Sequence, residues 1–281
     1  MSLTAERPEP KVGGAAARRS AAPILAVLVA FSWGVLWVWG QGPYGRYLEH
    51  GGWIDGGAAV ALCRALPAGW AVVPLMIYAG GWLLMMAAMM LPTALPLIDR
   101  FDRAVAARAD RRRLLALVIS GYLVIWAGFG VVAHVADAAL HHAVRHSEWL
   151  VLNGWILGAL ILAAAGLFQF SRLKYRCLAR CRTSFSFIAR HWHGPHPLRN
   201  ALLLGLDHGV FCVGCCWAIM LLMFVVGTGN VGWMLALGSA MALEKNTRWG
   251  ARFSRPLGAA LLVGAVLIAG VNLRILGFPR E

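Results

Sequence analysis

The chain has 281 residues, 60% of them hydrophobic and only 14% charged, with a mean hydropathy of +0.67. Those values exclude a soluble globular domain and describe a chain that crosses a bilayer several times. The formal net charge of +14 comes from basic residues concentrated on alternate segments rather than gathered on one soluble face, which argues against nucleic acid as a partner.

Residues 1–20 are rich in Pro, Ala and Arg and read as a disordered basic cytoplasmic tail; residues 21–281 read as one transmembrane domain. A span needs about 20 mostly apolar residues to cross a hydrocarbon core about 30 Å thick. Seven stretches approach that length: 22–40, 70–91, 114–134, 149–170, 202–226, 231–243 and 257–273. The first is too long for a cleaved signal and reads as a signal anchor. The expected fold is an all-α membrane protein, a seven-span transmembrane helix bundle.

Charge sets its orientation. Arg7, Lys11, Arg18 and Arg19 precede the first span, and Arg100, Arg103, Arg108, Arg111, Arg112 and Arg113 separate the second from the third. The segments after spans four and six are equally basic, whereas only Arg46, Arg64, Arg145, Arg274 and Arg280 fall on the other side. Basic residues resist translocation and meet the anionic lipid of the cytoplasmic leaflet. The N-terminus is therefore expected inside and the C-terminus outside.

The second span carries GWLLMMAAMMLP, which stacks Met85, Met86, Met89 and Met90 on one helix face. The third ends externally among His134, Asp137, His141, His142 and His146, a possible metal-collecting site. After the fourth comes FSRLKYRCLARCRTSF, in which a helix would present Cys177 and Cys181 together, four residues apart, among Lys174, Arg176, Arg180 and Arg182. That basic crowd favours thiolate over thiol and suits a two-thiolate Cu(I) site; the other reading makes the arginines lipid anchors and the thiols incidental. HWHGPH follows with His191, His193 and His196, either a metal loop or an interfacial one.

The fifth span contains HGVFCVGCCWAIMLLM, and steps of three and four residues bring His208, Cys212, Cys215, Cys216, Met220 and Met223 to one side. At 1.5 Å per residue Cys212 lies about 15 Å into the membrane and Met89 about 12 Å, so the two sulfur faces reach similar depths. Thiolates and thioethers are soft ligands suited to Cu(I), with imidazole as companion. Cys and Met are also good packing residues. Cys212 and Cys215 form a CxxC, which allows a thiol–disulfide reading. The sixth span is short and ends in Glu244 and Lys245; adjacent helix residues face apart, and Asp207 is the expected partner of Lys245 unless both charges snorkel. Cys63 stands alone outside, so the six cysteines form no secreted-type disulfide framework.

WLLMMAAMMLP, LKYRCLARCR, GVFCVGCCWAIMLLMFVVG and WMLALGSAMALEK occur in that order along most of the chain from the second span to the sixth. In these motifs the chain resembles a bacterial family of uncharacterised, predicted metal-binding integral membrane proteins. The resemblance implies a multi-pass protein of the inner membrane, with Met85, Met86, Met89, Met90, Cys177, Cys181, Cys212, Cys215, Cys216, Glu244 and Lys245 as family-pattern positions. The expected function is transport or delivery of a soft transition metal, Cu(I) first, within the membrane. Cys212, Cys215, Cys216 and Met89 are the favoured ligands, with Met85, Met86 and His208 behind them, and Cys177 and Cys181 exchange the ion with a cytosolic metal carrier protein. No P-loop is present, so movement runs down a gradient or couples to another ion. A membrane thiol oxidoreductase using Cys212 and Cys215, and an assembly scaffold whose sulfurs only pack, remain open alternatives.

Overall fold

The long apolar runs form helices, joined by shorter ones that do not reach the length a bilayer demands. The computed structural model describes residues 22–41, 72–147, 149, 153–226 and 230–277, and among these residues there is no strand. The elements are α1 (Ala22–Gln41), α2 (Val72–Ala104), α3 (Arg111–Arg145), α4 (Trp155–Phe168), α5 (Arg172–Arg182), α6 (Ser184–His191), α7 (Pro197–Val226), α8 (Val231–Asn246) and α9 (Gly250–Gly277). Each of the seven expected stretches overlaps one of the described helices. Four segments are long and apolar enough to cross a membrane: Gly80–Ala104, Arg111–Val144, Pro197–Val225 and Gly250–Leu273. A fifth arises if α4 and α5, bent by 62° at their junction, count as one span. The proposed tail at 1–20 and Cys63 lie outside the described residues.

α7 is the central helix, in contact with α3, α4, α5, α6 and α8. Its small residues let backbones meet: a Cβ at Gly205 would overlap the Val118 carbonyl oxygen of α3, and one at Gly121 would stand 2.7 Å from Leu202 O. Such close approach is how membrane helices gain packing energy without a hydrophobic drive between them. α9 seats on α4 in the same way, where a Cβ at Gly258 would lie 3.0 Å from Gly166 O.

α2 runs through Pro92 and Pro96 without breaking. A proline removes the N–H that would bond the carbonyl four residues back. The carbonyl that Pro96 frees is that of Pro92, and it accepts from Asn246 Nδ2 of α8 at 3.3 Å. The helix thus keeps its line while gaining a tie to α8.

α5 departs from expectation. Its positive charge argues for a solvated cytoplasmic loop, yet it folds back against α7 and α8. Ser171 caps it, accepting from Lys174 N at 3.1 Å. Lys174, Cys177, Leu178 and Cys181 are buried while Arg176 and Arg180 remain exposed, an i, i+3, i+4, i+7 stripe turned inward.

Candidate metal centre

The cysteines and methionines form one buried cluster. Cys212, Cys215 and Cys216 of α7 join Cys177 and Cys181 of α5, Met85, Met86, Met89 and Met90 of α2, Met220 and Met223 of α7, and Met234 and Met241 of α8. All five described cysteines are free thiols. Cys215 is the junction: its sulfur lies 3.5 Å from Cys216 Sγ and 3.8 Å from Cys181 Sγ. With metal–sulfur bonds of about 2.3 Å, two sulfurs on one ion stand at most about 4.6 Å apart. Both spacings fall inside that limit. Among the described residues no three His, Cys, Asp or Glu groups already converge as a finished cage; the sulfurs approach in pairs.

The α5–α7 contact makes this meeting. Gly214 faces Cys177, and a Cβ there would stand 2.7 Å from its sulfur. Cys177 therefore packs on the α7 backbone, while Cys181, one turn further, reaches Cys215. Cys177 and Cys181, expected on a basic cytoplasmic loop, are buried here, at 8% and 7% exposure.

Cys212 looks elsewhere. It lies 3.0 Å from Tyr122 Oη of α3, and Lys245 Nζ of α8 donates to it at 2.8 Å. Tyr122 also donates to Met90 O at 3.2 Å, and Lys245 to Thr93 Oγ1 at 3.2 Å. These two side chains tie the methionine face of α2 to the cysteine face of α7. Met89 itself packs on α8, where a Cβ at Gly238 would be 3.6 Å from its Cγ. Met85 and Met86 are buried in the same cluster.

The terminal charges of α8 neither snorkel nor pair as the sequence led one to expect. Glu244 is 1% exposed and takes both hydrogen bonds of 2.8 Å from Lys174 Nζ, which also donates to Gln169 Oε1. Asp207, the expected partner of Lys245, instead faces His191 of α6 with Oδ2 at 3.6 Å from Nε2. Arg182 closes the end of α8, donating to the carbonyls of Glu244 at 2.8 Å and Thr247 at 2.6 Å.

His208 is 4% exposed, stacks on Tyr122 at 5.7 Å between ring centroids and meets Phe187 edge-on at 5.2 Å. Its Nδ1 has no hydrogen-bond partner among the described residues. It lines a cavity of about 170 Å³, together with Cys181, Lys245 and the basic end of the bundle. Of the other histidines, His193 and His196 are exposed, while His142 and His146, also exposed, bring their ring centroids to 4.3 Å, with His146 Nδ1 2.8 Å from His142 O.

Sequence spacing missed Tyr122 and Thr93, which reach the centre from α3 and α2, and Gln169 and the inward role of Lys174, which brace α5 against Glu244. A tyrosine, a threonine and a lysine facing inward from apolar or basic runs give no local signal. Met234 and Met241, seven apart on one face of α8, also join the cluster and were not singled out from the sequence.

Fold and site together define a multi-pass helical membrane protein with a thiol- and thioether-rich core. Residues 79–268 match the profile of the PpoB2 family, described as copper chaperone, and the chain belongs to that family. No curated protein and no solved structure matches it.

Proposed function

We propose that the protein is a seven-span copper chaperone of the bacterial inner membrane, N-terminus inside and C-terminus outside, that carries Cu(I) on its buried sulfurs. The observation that carries this reading is Cys215, whose sulfur lies within 3.8 Å of Cys181 on one side and 3.5 Å of Cys216 on the other. Cys181 receives the ion, Cys215 and Cys216 hold it, and Cys212, Cys177, Met85, Met86, Met89 and His208 supply the surrounding soft and imidazole donors. Family membership supports copper as the cargo, and soft donors suit its reduced state. Support for seven crossings comes from the alternation of basic segments, which requires α1 and α8 to cross as well.

The redox alternative draws less support, since Cys212 and Cys215 direct their sulfurs to different partners: Cys212 to Tyr122 and Lys245, Cys215 to Cys181 and Cys216. Metal analysis of protein purified under reducing conditions tests the proposal. Wild-type protein should carry copper, and C181S/C215S/C216S should lose it because hydroxyls are hard, poor ligands for Cu(I). Replacing Met85, Met86 and Met89 by Leu should weaken binding while keeping apolar volume. A full complement of copper in the triple Ser protein would sink the sulfur site. A reversible Cys212–Cys215 disulfide in protein free of copper would favour the oxidoreductase.

A further inference from the structure

The cavity beside Cys181 has a chemical character of its own. Arg100 of α2 and Arg248 beyond α8 stand exposed at its mouth, Arg182 forms its wall, and Lys245 lies buried at its floor. Among the described residues no aspartate or glutamate lines it. The nearby carboxylates are engaged elsewhere: Asp99 with Arg103, Asp102 with Arg111, Glu244 with Lys174 and Asp207 with His191. Its volume is about 170 Å³, ample for water and small solutes. His208, whose Nδ1 has no hydrogen-bond partner among the described residues, and the Cys181 thiol line the same space.

A cleft lined by one sign of charge concentrates ligands of the opposite sign. Such a mouth repels a bare or cationic copper species. A Cu(I) ion held by two thiolates carries a net charge of −1, and more if the thiols bear carboxylates. Resting on the Cu(I) reading above, we infer that this cavity is the entry site for small anionic Cu(I)–thiolate complexes. The arginines draw the complex in, and copper passes by ligand exchange to Cys181. In that step one sulfur–copper bond breaks and one forms. The departing thiolate takes the proton that Cys181 gives up, copper stays Cu(I), and no electron moves.

Two carriers with the same thiol chemistry and opposite charge test this. Purified protein is loaded with Cu(I) presented as its mercaptoacetate complex, which is anionic, or as its cysteamine complex, which is cationic, at matched thiol and copper. Wild-type protein should load about tenfold faster from the anionic complex at low ionic strength, and salt should erode the difference. R100Q/R248Q should lose the preference yet reach the same final copper content, and R100K/R248K should keep it. R112Q/R113Q, with two exposed arginines removed away from the cavity, should behave as wild type. Equal rates from the two complexes overturn the cavity's role, as does an equal loss of preference in R112Q/R113Q, which would assign it to net charge. Full loading without preference refutes this inference alone; no loading from either complex refutes the sulfur site and this inference with it.

Discussion

Lys245 Nζ stands 2.8 Å from Cys212 Sγ, deep between α2, α7 and α8. Its other hydrogen-bond acceptor is Thr93 Oγ1, and among the described residues no carboxylate pairs with it. The neighbouring Glu244 points to α5 and is occupied by Lys174, as adjacent residues on a helix must diverge. The ammonium therefore stands as a fixed counter-charge at a thiol cluster. Two thiolates binding Cu(I) leave one negative charge, and a buried charge needs compensation.

Lys245→Met should accordingly lower Cu(I) affinity by about tenfold or more, equivalent to about 1.4 kcal/mol. Competition against a Cu(I) chelator measures it. A double-mutant cycle with Cys212→Ser isolates the pair, and the losses should be clearly less than additive. Strict additivity would mean that Lys245 acts through something other than Cys212.

The second buried lysine is structural. Lys174 is fully buried between Gln169 and both oxygens of Glu244. Lys174→Met leaves the carboxylate uncompensated, a loss of about 3–5 kcal/mol, and should lower the thermal midpoint in detergent. K174M/E244M removes both charges and should recover most of that loss. A wild-type midpoint for K174M would show that the pair contributes nothing to the fold.

Gly205 is the tightest point of the α3–α7 crossing, because the atom in its way is the Val118 backbone carbonyl. A backbone oxygen cannot swing aside as a side chain can. Gly205→Ala should cost about 1–3 kcal/mol and be seen as lower yield and a lower unfolding midpoint. Gly270→Ala, where nothing lies within 4 Å of the added carbon, should be silent.

Helix positions and faces were legible because they are local. The spacing of Cys212, Cys215 and Cys216, and of Cys177 and Cys181, put each set on one face, and those faces are the buried ones. Partners were not legible. Asp207 and Lys245 share a depth in sequence, but rotation about α7 turns Asp207 to His191 and leaves Lys245 to Cys212. Nor did the charge of α5 disclose its burial. Three of the four buried residues on its stripe are Lys174, Cys177 and Cys181, and the residue that makes burial of Lys174 tolerable, Glu244, lies on another helix. Local patterning gives the face of a helix; the tertiary fold gives what the face meets.

On the proposed topology, the alternation of basic segments predicts the orientation of each crossing. Reporter fusions after Arg46, Arg145 or Arg274 should read external, and fusions after Arg108, Arg190 or Arg252 cytoplasmic. A reversed reading at Arg252 in particular would mean that α8, with its 16 residues, turns back without crossing.

Burial also separates the two thiols of α5. Cys181 lines the cavity, whereas Cys177 is absent from that lining and lies on the Gly214 backbone. Thiol reaction requires access as well as thiolate, so both should label far more slowly than an exposed cysteine despite their basic neighbours. A small water-soluble methanethiosulfonate should modify Cys181 several-fold faster than Cys177, read by mass spectrometry of peptic fragments. Preloading with Cu(I) should protect Cys181 and leave the slow labelling of Cys177 unchanged. Faster modification of Cys177 would place the opening on the other face of α5, and Cys181 labelling indifferent to copper would remove it from the path of the ion.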